Sequence, residues 1–142
     1  MSKILLSLAA CLSSFVNIQP SSTLSVSISN IEDRGTLFIG LYNTSSSFGE
    51  TSRSFRNVKP YATASAKTVS FDRLPEGEYA IAVFQDINGN GKLDKNFFGV
   101  PTEPYGFSKN VKPLFSAPTF EDCQFRMTSS RSREMDIELI QP

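Results

Sequence analysis

An all-β fold is predicted for this chain: an antiparallel β-sandwich, immunoglobulin-like or transthyretin-like, of about seven strands with a long Gly/Pro/aromatic loop. Three observations predict it. Apolar and polar residues alternate with period two in several short runs, Gly and Pro punctuate those runs, and no stretch carries a convincing amphipathic-helix pattern.

The runs come in order. Leu24, Val26 and Ile28 alternate with Ser25, Ser27 and Ser29. After Asp33-Arg34-Gly35, Leu37, Ile39 and Leu41 alternate with Phe38, Gly40 and Tyr42, so these two runs are expected to pair as a hairpin. Val69 and Phe71 alternate with Thr68, Ser70 and Asp72, and Leu74-Pro75-Glu76-Gly77 turns the chain into Tyr79-Ala80-Ile81-Ala82-Val83-Phe84. That last run is apolar on both faces, which predicts a central strand. Cys123, Phe125 and Met127 are expected in one further strand, and Met135, Ile137 and Leu139 in another, joined by a turn at residues 129–132. Residues 43–66, rich in Ser, Thr and Arg with Phe48, Phe55 and Tyr61 as anchors, read as a long crossover or short irregular helix.

Met1-Ser2-Lys3 followed by the short apolar run Ile4 to Leu12 reads as an export signal over residues 1–20, too brief to span a bilayer. Leu8-Ala9-Ala10-Cys11 also has the form of a lipoprotein cleavage box, in which Cys11 would carry lipid; an ordinary signal is the preferred reading. A single domain is then expected over residues 23–141, in the periplasm, at the cell surface or secreted. Fourteen basic residues balance fourteen acidic ones, which gives no field for nucleic acid, and no second apolar stretch is long enough to span a membrane. The expected partner is an extracytoplasmic ligand or protein of unknown identity. With Cys11 removed or lipidated, Cys123 stands alone and is expected to be a small buried residue.

The most informative stretch is Asp86-Ile87-Asn88-Gly89-Asn90-Gly91-Lys92-Leu93-Asp94. Oxygen-bearing side chains stand at relative positions 1, 3, 5 and 9, glycine at 6 and an apolar residue at 8, the spacing of a calcium loop. Ca2+ is a hard ion, and alternate residues of a tight turn can aim oxygens at one point. Asp86, Asn88, Asn90 and Asp94 would supply side-chain oxygens and Lys92 its carbonyl. Position 12 is Phe97 where an EF-hand has glutamate, and a strand leads in where an EF-hand has a helix, so a weak site is expected. Asp122, in Phe120-Glu121-Asp122 at the expected start of a strand, is chosen over Glu121 to complete the ion site. A metal-free Asn/Gly turn is the alternative.

Residues 97–107, Phe-Phe-Gly-Val-Pro-Thr-Glu-Pro-Tyr-Gly-Phe, could form a stacking platform for sugars. The expectation is that these rings fold back and bury themselves around the loop. The absence of histidine excludes Ser-His-Asp and Cys-His catalysis and histidine-ligated zinc. Carboxylate chemistry by Asp86, Asp94, Glu103, Glu121 or Asp122 remains open as a hydrolase alternative.

Taken together, Leu74-Pro75-Glu76-Gly77-Glu78-Tyr79-Ala80, Val83 through Asp94, Phe98 through Ser108 and Phe120-Glu121-Asp122 resemble the DUF2141 family of exported bacterial proteins with no assigned activity. The resemblance covers nearly the whole expected domain and implies an exported β-rich fold. Where the family pattern has a histidine after the phenylalanine of the central strand, this chain has Gln85; where a small residue such as alanine is usual, it has Cys123. The reading that results is a non-enzymatic, exported binding or accessory module with a Ca2+ loop; a purely structural domain and a carboxylate-dependent hydrolase are the alternatives.

Overall fold

In the computed structural model, residues 22–142 are described; the expected signal and Cys11 lie outside them. The chain runs through β1 (Ser22–Ser29), β2 (Thr36–Tyr42), β3 (Arg56–Val58), β4 (Ala66–Leu74), β5 (Gly77–Asp86), β6 (Tyr105–Phe107), a short helix α1 (Phe120–Cys123), β7 (Phe125–Met127) and β8 (Arg133–Glu138). Two sheets face each other. One has the order β4-β1-β8; the other has the order β3-β2-β5-β6, with β7 also pairing β5. The fold is an all-β sandwich. Among the described residues, no helix is long and apolar enough to cross a membrane.

Alternation explains the layers. Leu24, Val26 and Ile28 of β1, Leu37, Ile39 and Leu41 of β2, and Tyr79, Ile81 and Val83 of β5 point into one shared core, all buried. Truncating one of these, Ile81 for instance, to Ala would cost about 2–5 kcal/mol. The outer face of β1 is a row of serines, and Ser27 meets Thr68 of β4 hydroxyl to hydroxyl at 3.0 Å. That face is therefore polar.

The pairings differ from those expected. β1 does not form a hairpin with β2: it pairs antiparallel with β4 and parallel with β8, while β2 pairs with β5 in the opposite sheet. Gly35, at φ +75°, is what the intervening turn needs. A Cβ there would lie 2.3 Å from the Asp86 carbonyl oxygen, so the chain crosses between sheets by pressing against the end of β5. The Leu74-Pro75-Glu76-Gly77 turn likewise carries the chain from one sheet to the other. Cys123 and the two acids before it lie on α1 rather than on a strand, because Thr119 caps a helical turn: its hydroxyl accepts from Asp122 N–H, and Asp122 Oδ2 accepts from Thr119 N–H at 2.9 Å. Residues 43–66 are a crossover containing two 3-10 turns (Ser45–Ser47 and Thr51–Arg53) and β3.

β5 is the central strand, as its two apolar faces predict. Its inner face joins the main core; on its outer face Ala80 packs with Tyr42, Phe120 and Cys123 in a second, smaller core that Phe48, Phe107 and Val111 extend. Burial pushes the Cys123 thiol up to about 11, with Asp122's charge adding to it, which fits an unreactive packing residue. Burial also pushes the Tyr42 hydroxyl up to about 12, again with help from a negative neighbour, Glu50.

Tyr42 yields a pH prediction. A folded-state value above the ordinary 10.0 means that the native state holds the proton more tightly, so the stabilisation is complete below that pH and is lost as pH rises towards 12. Stability should drop by on the order of 2 kcal/mol across that range, and Tyr42→Phe should remove this component. Denaturant melts of both proteins at stepped alkaline pH check it; parallel pH curves would contradict it.

Candidate functional site

The end of β5 and the loop after it are held by three polar side chains. Gln85 points inward and is fully buried, yet all its polar atoms are used. Its Nε2 donates to Glu32 O at 2.7 Å and to Arg34 O at 2.6 Å, and its Oε1 accepts from Glu32 N–H at 3.1 Å. Gln85 thus clamps the β1–β2 crossover to β5. Gln85 is a structural amide.

Asp86, next along, points to the other face. Its Oδ1 accepts from Gly89 N–H at 2.8 Å and Asn90 N–H at 3.1 Å, and its Oδ2 from Gly91 N–H at 2.7 Å. Gly91, at position 6 of the loop, has φ +78°, the left-handed conformation that lets three successive N–H groups turn towards one carboxylate. Asp94 closes the loop: Asn90 Nδ2 donates to both its oxygens at 2.9 Å, and Asn88 Nδ2 donates to Oδ2 at 2.5 Å. These bonds, Asn90's first and then Asn88's, hold the Asp94 carboxyl below its ordinary range.

Glu103 ties the loop at both ends. It is only 4% exposed; its Oε1 accepts from Ile87 N–H at 2.8 Å and its Oε2 from Asp94 N–H at 3.0 Å. The backbone around it continues the sheet, with Gln85 N–H donating to Pro104 O and Thr102 N–H to Asp94 O. In the sequence Glu103 is legible only as a candidate hydrolase acid. A signal was there: a residue before proline is held extended, so the direction of its side chain is constrained.

The structure therefore brings Asp86, Asn88, Asn90, Lys92 and Asp94 together in one turn and adds Glu103. It does not bring Asp122 to them. Asp122 caps α1, and Cys123 O accepts from Ser108 Oγ, which in turn accepts from Ile81 N–H, so α1 lies beside β5 five residues before Asp86, roughly 16 Å along a strand. Glu121 is engaged elsewhere, by the Ser45 hydroxyl. Among the described residues, no three His, Cys, Asp or Glu side chains gather as a metal cluster.

Beside the loop, on the outer face of the five-stranded sheet, is a cleft of about 520 Å3. Its floor follows from the register. Phe38 pairs with Phe84, their rings stacked at 5.3 Å, and Ala82 lies on the floor beside them, while its pair Gly40 is buried beneath the Phe38 and Tyr42 rings. A Cβ on Gly40 would come within 2.9 Å of Phe38 and Tyr42 side-chain atoms. Lys92, Leu93 and Lys95 form one wall, and Leu114 and Phe115 another.

The expectation that residues 97–107 bury their rings is corrected at the tip. Phe97 is 97% and Phe98 84% exposed, whereas Tyr105 and Phe107 are half-buried. Asn96 explains the difference: its Oδ1 accepts from Phe98 N–H and Val100 N–H, and its N–H donates to Val100 O, a closed turn that thrusts both rings outward.

An all-β sandwich with an Asp/Asn/Gly loop at the end of its central strand and an aromatic-lined cleft beside it is the class these features define. Residues 26–135 match the family model described as "Uncharacterized protein conserved in bacteria (DUF2141)", and the chain belongs to that family. Comparison with curated proteins and with solved structures gives no match.

Glu103→Gln should lower unfolding stability by about 1–3 kcal/mol, since one N–H acceptor becomes a second donor facing a backbone N–H. Urea melts check this; a variant as stable as the parent would show that the loop does not depend on the carboxylate.

Proposed function

We propose that this chain is an exported, non-enzymatic binding module, in which the outer face of the five-stranded sheet takes the ligand and a Ca2+ ion stiffens the loop at its rim. The aromatic-lined cleft with Ala82 on its floor is the observation that carries the reading, because a sheet face with no binding role would be expected to cover or polarise that surface.

The donor chemistry of the loop fits calcium. Asp86 and Asp94 are carboxylates, Asn88 and Asn90 add amide oxygens when their side chains turn over, and all are hard ligands. Three N–H groups occupy Asp86, and a carboxylate has about four acceptor positions. A lone pair is left for an ion. When bound, the ion would supply charge compensation and rigidity.

The hydrolase alternative needs two carboxylates facing each other across a cleft. The lining of this cleft contributes one acid, Glu50.

Two readouts test the proposal. Millimolar Ca2+ should raise the melting temperature relative to chelator, and Asp94→Asn should abolish the rise; identical melting with ion and chelator would defeat the calcium part. The anionic apolar dye anilinonaphthalene sulfonate should bind the native cleft, and Ala82→Leu, which fills the floor, should weaken that binding at unchanged melting temperature. Equal dye binding by both proteins would defeat the cleft.

A further inference from the structure

We infer that the lip of the cleft, residues 97–100 and 114–115, is a membrane-docking surface that inserts into the interfacial layer of an anionic lipid bilayer. This deepens the reading of the cleft face as a binding surface by naming its partner, and it does not depend on the calcium ion.

Four bulky apolar side chains are almost wholly in water. Beside Phe97 and Phe98, Leu114 is 87% and Phe115 101% exposed. They form one patch: Phe98, Val100, Leu114 and Phe115 line the same cleft, and Phe97 sits against Phe98 at 5.6 Å between ring centroids. Contiguous exposed apolar surface of this kind marks an interaction site. The presentation is fixed, because the Asn96 turn holds the backbone that carries the two phenylalanines.

The geometry selects the partner. Phe97 and Phe98 stand perpendicular, at 86°, so they make no flat platform for a sugar ring. Rings and a leucine that project fully past the backbone suit a fluid phase, in which acyl chains close around any orientation. The charges agree. Lys92 and Lys95 flank the patch in the same cleft, both exposed and outnumbering its one acid, Glu50, and neither makes an ion pair among the described residues. Lysines with long apolar stems beside an inserted apolar tip reach phosphate headgroups. Overall neutrality of the chain does not oppose this, since docking reads the local field within a Debye length of the surface.

The absence of tryptophan from the chain supplies a site-specific test. In the full chain in chelator, Phe115→Trp should shift its emission to the blue on adding phosphatidylcholine vesicles containing phosphatidylglycerol, and brominated lipids should quench it. Ser132→Trp lies in the turn before β8; that turn follows β7, which pairs the start of β5 at the opposite end of the sheet from the loop, so its emission should not move. Adding Phe97→Ser, Phe98→Ser and Leu114→Ser to Phe115→Trp should weaken partitioning at least ~10-fold, and Lys92→Gln with Lys95→Gln roughly 5-fold per lysine. All these side chains are exposed, and melting should stay unchanged. An unmoved Phe115→Trp spectrum, or an equal shift for Ser132→Trp, would overturn the inference. So would a blue shift without vesicles that grows with protein concentration, which would make a second copy the occupant.

Discussion

Glu103 accepts a hydrogen bond from a backbone N–H at each end of one loop, Ile87 at the start and Asp94 near the finish, while being almost entirely shut off from water. A buried carboxylate is tolerated only when its lone pairs are satisfied, and here each of its oxygens accepts from a backbone N–H. The consequence is reciprocal. The loop is drawn into a fixed arc around Asp86, and the segment that carries Glu103 is drawn beside β5, where Tyr105 pairs with Phe84. The rim of the cleft therefore inherits its shape from a polar contact, although its surface is apolar.

β5 sets the rest of the architecture because each of its faces has a separate task. The inward row of Tyr79, Ile81 and Val83 completes the sandwich core, and Gln85 ends that row by holding the crossover from the opposite sheet. The outward row divides in two. Ala80 lies under the small core of Tyr42, Phe120 and Cys123, and Ala82, at the edge of that core, also forms the floor of the cleft. The small side chain of Ala82 keeps the floor low, and a large one there would fill the depression, whereas any side chain at Gly40 would collide with the Phe38 and Tyr42 rings.

Period-two alternation made the fold class readable, along with the positions of β1, β2, β4, β5 and β8 and the central place of β5. It could not reveal partners. Alternation reports which face of a strand is buried and carries nothing about which strand lies alongside, so two short turns that look like hairpins, at Gly35 and before Gly77, instead pass the chain between sheets. The site was half legible. The loop spacing marked Asp86 to Asp94, and those residues do meet in one turn. The role of Glu103 rests on tertiary approach and leaves no local pattern, whereas Asp122, at the third position after Thr119, has a capping-box spacing that starts a helical turn and not a strand. Phe97 and Phe98 were expected inside on composition; the Asn96 turn, a local backbone device, decides their exposure.

A polar scaffold orders the loop in the native state. Native-state hydrogen exchange read at individual amides addresses it directly. Ile87, Gly89, Asn90, Gly91 and Asp94 should exchange slowly as a group, close to the amides of β5, and Glu103→Gln should release Ile87 and Asp94 first. Exchange of these five amides at the rate of an open, solvated turn in the unmodified protein would contradict it.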